Sequence, residues 1–107
     1  MKPKIITICG SLRFQDKQMW VAKKLELAGN CVLSVIYNPP GVTKENYYEH
    51  FTTGDEKILD KMHRVKIDLS DAIYVVNFGG YIGDSTRGEI DYAQANGKEI
   101  MWLEEPK

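Results

Sequence analysis

Phe78–Ala93 reads FGGYIGDSTRGEIDYA, a glycine-rich turn leading into a helix that carries the carboxylate Glu89. Just before it, Ile73-Tyr74-Val75-Val76-Asn77 is a short β-prone run of the kind buried on both faces. Glu89 to Asn96 has helical character, with Ile90 and Ala93 placed to face a sheet. Ligands of open α/β sheets bind where strands give way to helices, so this junction is the first candidate for a site. A second junction, Ile8-Cys9-Gly10-Ser11-Leu12-Arg13, follows the first apolar run. Two such edges in one small protein imply one shared pocket.

Working outward, Lys4–Cys9 is a strand and Asp16–Ala28 a helix that Gly29-Asn30 stops. Along that helix Met19, Trp20, Ala22, Lys23 and Leu27 mix core and snorkelling positions. Cys31–Ile36 is a second strand, closed by Asn38-Pro39-Pro40-Gly41. In Val42–Gly54, Tyr47, Tyr48, His50 and Phe51 form a short helix or an ordered loop over the pocket. From Asp55 to Leu69, the apolar residues Ile58, Met62, Val65 and Leu69 recur at helical spacing and predict one buried stripe. Ala72–Phe78 is the third strand, Thr86–Asn96 a helix and Glu99–Leu103 the fourth strand. Alternation of this kind specifies an α/β protein, a three-layer flavodoxin/Rossmann-like sandwich with a small parallel sheet. Right-handed crossovers give the strand order 2-1-3-4.

The 107 residues suit a single domain with one core. Fourteen basic and fifteen acidic side chains leave a net charge of -1, which excludes broad attraction to nucleic acid or to an anionic membrane. No apolar run approaches the ~20 residues of a membrane span, and the basic start is not followed by a signal-peptide core. Cys9 and Cys31 lack metal spacing and read as small buried residues of a reduced, cytoplasmic protein. His50 has no second ligand at suitable spacing, so neither a metal nor a cofactor is expected.

Each candidate site residue has a structural alternative. Gly10 and Ser11 form either a tight turn or a phosphate cradle, with Arg13 as a surface residue or a clamp. Thr86-Arg87-Gly88-Glu89 matches a capping box. In the functional reading, Glu89 is an ionised nucleophile in a first helical turn, suited to a cationic sugar-like transition state. Gly79, Gly80, Gly83 and Gly88 then allow close approach of substrate, while Asn77, Asp84 and Ser85 suit hydroxyl recognition. His63 is either a boundary residue of its helix or a proton donor. The aromatic cluster around Tyr47 stacks on a planar ligand or packs beneath a lid. Asp68 and Asp71 end or cap structure near the third strand.

Taken in order, Ile6–Arg13, Ser70–Val76 and Gly88–Ala93 resemble the nucleoside 2-deoxyribosyltransferase-like superfamily, including its small nucleoside 5′-monophosphate N-glycosidase branch. The resemblance implies an enzyme that cleaves or transfers an N-glycosidic bond, with Glu89 attacking the anomeric carbon. It sets Gly10, Ser11 and Arg13 beside sugar and phosphate, with Ser85 and Gly88 in a second polar loop. It also implies a nucleotide or nucleoside as ligand, and a homodimer or larger homo-oligomer. Where those enzymes have an acidic aspartate this chain has His63, cast as the acid for the departing base. The strand-one tyrosine that supports the nucleophile is replaced by the run Thr7-Ile8-Cys9. A protein that binds or senses nucleotides without catalysis is the alternative. A flavin binder is a third reading.

Overall fold

A computed structural model describes residues 2–106. Its strands are β1 (Ile5–Cys9), β2 (Cys31–Leu33), β3 (Ala72–Val75) and β4 (Glu99–Trp102). The helices are α1 (Gln15–Leu27), α2 (Tyr47–His50), α3 (Thr53–Leu69) and α4 (Asp84–Ala95). Short 3₁₀ turns occupy Leu12–Phe14 and Phe78–Gly80. All neighbouring strands pair in parallel, in the order β2-β1-β3-β4. The expected three-layer α/β sandwich and strand order are both present, a flavodoxin-like fold in the general sense.

The topology reverses between β1 and β3. From β1 the chain crosses outward to β2, whereas from β3 it crosses the other way to β4. The connections leaving the C-terminal ends of β1 and β3 therefore diverge and leave a crevice, the place where such sheets receive ligands. Ile6↔Ala72 through Cys9↔Val75 fix this central register. At the opposite end, Asp71 secures it by accepting from the Ile5 amide at 2.8 Å.

Strand alternation sends Cys9, Ile73 and Val75 to the face covered by α3 and α4, where Ile67, Ile90 and Ala93 complete the core. Ile6 and Ile8 are equally buried. Burial of this apolar set is the main stabilising term, about 25 cal/mol per Å² of surface removed from water.

Several expectations about faces and boundaries are corrected. Ile58, Met62, Val65 and Leu69 are substantially exposed, so the apolar stripe of α3 is not a core face, and Met62 lies at the mouth of the crevice. The inward face instead carries His63 and Ile67. It is partly polar because Thr7 on β1 meets the Lys66 carbonyl at 3.0 Å and the Ser70 hydroxyl at 2.5 Å. A search for apolar periodicity therefore selects the wrong side. On α1, Met19, Trp20 and Leu27 are exposed while Gln18 is fully buried, its amide donating to the Ser11 carbonyl. Cys31, expected inside, is exposed on the edge strand.

The capping box lies at Thr52 and Asp55 of α3, not at Thr86 and Glu89. α4 starts earlier than expected, at Asp84, which puts Glu89 in its second turn rather than its first. β2 and β3 end at Leu33 and Val75, short of the predicted Ile36 and Phe78. Beyond β3, Gly79 and Gly80 adopt left-handed conformations (φ 65° and 78°) that break the extended run.

Replacing fully buried Ile67 by Ala should destabilise the fold by about 2–5 kcal/mol. Ile58→Ala on the outer stripe should change stability by no more than about 0.5 kcal/mol. Urea unfolding of dilute protein separates the two faces.

Candidate functional site

The crevice opens into a hollow of about 380 Å³, within the range of small-molecule sites. Gly10 and Ser11 bound it beyond β1, and Gly83 to Thr86 bound it at the start of α4. A Cβ on Gly10 would lie 3.1 Å from the Val76 carbonyl oxygen and 3.2 Å from Gln18 Nε2, so only glycine fits this close approach. The third wall is α3, whose Glu56, Leu59, Asp60, His63 and Lys66 follow one another at helical spacing. Tyr47, stacked on Phe51 with ring centroids 4.8 Å apart, stands at the α2 side.

At the head of the hollow, two buried side chains from different helices meet. His63 Nδ1 contacts Glu89 Oε2, and His63 Nε2 lies 3.0 Å from the Ile8 carbonyl oxygen. The carbonyl can only accept, so Nε2 carries a hydrogen and donates it. A further proton must then lie between Nδ1 and Oε2, because two lone pairs would repel at that contact. The pair thus exists as imidazolium and carboxylate or as imidazole and carboxylic acid, and is neutral overall in both forms. Glu89 Oε1 has no hydrogen-bond partner among the described residues, and Glu89 borders the hollow.

Beneath the pair, Cys9 Sγ is 4.0 Å from His63 Nε2. Burial, then the charge of Glu89, pushes the Cys9 thiol well above its ordinary value of 9.0, which keeps it protonated. Cys9, His63 and Glu89 place one potential ligand atom each within 4.8 Å of one another. In this arrangement Nε2 is directed at the Ile8 carbonyl and Nδ1 at Glu89.

Seven of the residues given catalytic or ligand-binding roles from the sequence therefore border the hollow: Gly10, Ser11, His63, Gly83, Asp84, Ser85 and Glu89. Gly88 lines an adjoining hollow with Asp60 and Arg64. Arg13 lies outside both, its guanidinium 4.0 Å from the centroid of Tyr81. Asn77 and Gly79 also lie outside them. The Asn77 amide exchanges two 2.9 Å hydrogen bonds with the Glu104 backbone, and the Gly79 amide donates to the Glu104 carboxylate at 2.7 Å. Those contacts tie down the chain after β4.

Both ring nitrogens of His63, the expected acid, face protein atoms. Glu56, Asp60 and Lys66 escaped the sequence reading, although their spacing from His63 would have grouped them once His63 was taken as inward-facing. Compared with known protein families, with curated proteins and with solved structures, the chain matches none.

His63→Ala strands a buried carboxylate and should destabilise the fold by about 3–5 kcal/mol. Glu89→Gln, whose amide can donate to Nδ1, should lose less than half as much by the same unfolding assay. A thiol reagent at neutral pH should titrate Cys31 rapidly and Cys9 only after denaturation. The folded state retains the Cys9 proton that an unfolded chain releases. Its stabilising contribution is therefore complete below pH 9.0 and declines above it. Cys9→Ala should flatten that alkaline decline.

Proposed function

We propose that the protein cleaves or transfers the N-glycosidic bond of a nucleoside-type ligand, with Glu89 as nucleophile. The observation that carries this reading is the buried contact of Glu89 with His63 at the edge of the hollow, which engages Oε2 and leaves Oε1 without a partner among the described residues. The α/β fold, with its crevice at the reversal of strand order, suits a nucleotide-binding or small-molecule-processing protein in general. The finer assignment rests on this constellation together with the sequence resemblance.

In the proposed mechanism the shared proton resides on His63 when the ligand binds, leaving Glu89 as carboxylate. Oε1 attacks the anomeric carbon as the bond to the base breaks, and the Nδ1–H···Oε2 contact holds the carboxylate in line. Asp84 and Ser85 at the start of α4, with Gly10 and Ser11 opposite, are suited to the sugar hydroxyls. Water or an acceptor base then attacks the same carbon and regenerates Glu89. A 5′-phosphate, where present, would rely on the Gly10-Ser11 turn and on Arg13 reaching in from its place on Tyr81. The second reading, nucleotide binding or sensing without turnover, draws on the engagement of both His63 nitrogens.

The homodimer implied by the resemblance is retained as part of the proposal, and the exposed α3 stripe supports it. Val65→Glu at its centre should then shift the protein to monomer in sedimentation.

Chromatography of reactions with ribo- and deoxyribonucleosides and their 5′-monophosphates tests the activity. Base release should fall by about 10³-fold or more in Glu89→Gln. Ligand binding without release would favour the sensing reading.

A further inference from the structure

The charged groups around the hollow and the engagement of both His63 nitrogens bear on the same chemical question. On α3 and α4, Glu56, Asp60 and Asp84 border the hollow. Lys66 is the cation among its walls, and its Nζ is already bonded to the Ser34 carbonyl at 2.6 Å. Arg64, in the adjoining hollow, packs 4.9 Å from the Tyr92 ring centroid. With the His63–Glu89 pair neutral, three carboxylates face two cations, so the balance is negative. Burial and the negative field of Glu56, Asp55 and Asp60 push the Tyr47 phenol up, an effect of this field at the rim.

Acidic walls alone would specify nothing. The second observation is Glu89, a buried carboxylate that borders the hollow, with Oε2 held by His63 and no hydrogen-bond partner for Oε1 among the described residues. The proposed attack at C1′ needs a leaving group that departs readily. A neutral base departs as an anion unless it is protonated, and His63 has no free N–H for that purpose. A base already bearing a positive charge needs no acid. It also gains from carboxylate walls and from a face of Tyr47.

Resting on the glycosidic reading above, we infer that the hollow selects N-glycosides whose base is a fixed cation, such as pyridinium or N-alkylated purine nucleosides. Glu89 Oε1 forms a bond to C1′ while the C1′–N bond breaks. The electron pair of that bond passes to the ring nitrogen and neutralises its charge. The base leaves neutral, with no proton transferred. Water then attacks C1′, the C1′–Oε1 pair returns to Glu89, and the water proton passes to solvent. The sum is cationic nucleoside plus water giving sugar, neutral base and a proton.

Matched probes test this: nicotinamide riboside against its neutral dihydro form, and 7-methylguanosine against guanosine and guanosine 5′-monophosphate. Each is incubated with wild type, Glu89→Gln and Asp60→Asn, and released base is quantified. The cation of each pair should be preferred by about 100-fold in kcat/KM, with release abolished in Glu89→Gln. Asp60→Asn should raise KM for the cations by about tenfold, with a smaller effect on kcat. Equal or faster release from the neutral or phosphorylated partners would overturn the selectivity while leaving Glu89 chemistry standing. Cation release that persists in Glu89→Gln, or no release from any probe, would overturn both.

Discussion

A carboxylate and an imidazole taken out of water need partners for the charge and protons they retain, and here Glu89 Oε2 and His63 Nδ1 are each other's partner. Glu89 from α4 and His63 from α3 are both buried, and their contact spans the two helices that cover one face of the sheet. The Ile8 carbonyl fixes the outer hydrogen of the ring, which in turn fixes what lies between ring and carboxylate. Breaking one link leaves an unsatisfied group where the surrounding dielectric is low, so the elements bearing these residues are held in one arrangement. β1, α3 and α4 are thereby locked around the crevice, and the same contact that stabilises them orients the unpaired oxygen of Glu89.

The architecture was legible because its determinants are local. Apolar runs at β1, β3 and β4, punctuated by Gly29, Gly41 and Gly97, give a parallel sheet, and handedness then restricts its order. Reading of α3 failed for an identifiable reason. Its inward face carries His63 beside Ile67 and meets the hydroxyls of Thr7 and Ser70, whereas Ile58, Val65 and Leu69 are exposed. Hydrophobic periodicity reports where greasy side chains align, and not which face a polar network has claimed. Thr86 misled in a similar way. A hydroxyl followed at helical spacing by a carboxylate fits a cap equally well inside a helix, and the turn at Gly83 that starts α4 earlier is not encoded in that spacing.

Among site residues, those at the ends of β1 and the start of α4 could be placed from sequence because glycine marks the edge of a sheet. Asn77 and Gly79 could not, since their partner is Glu104, far along the chain and visible only in three dimensions. Glu56 and Asp60 were hidden by the choice of face on α3. Restored to the hollow, they add two carboxylates to the wall that faces the Gly10-Ser11 turn. Arg13, packed on Tyr81, lies outside it.

Nitrogen-15 NMR of the two histidine rings, assigned with a His50→Gln variant, tests the shared proton most directly. The account predicts that His63 Nε2 is protonated and that a strongly downfield proton on the Nδ1 side disappears in Glu89→Ala. A His63 ring protonated at Nδ1 with a bare Nε2, or one whose signals are unchanged in Glu89→Ala, would contradict it.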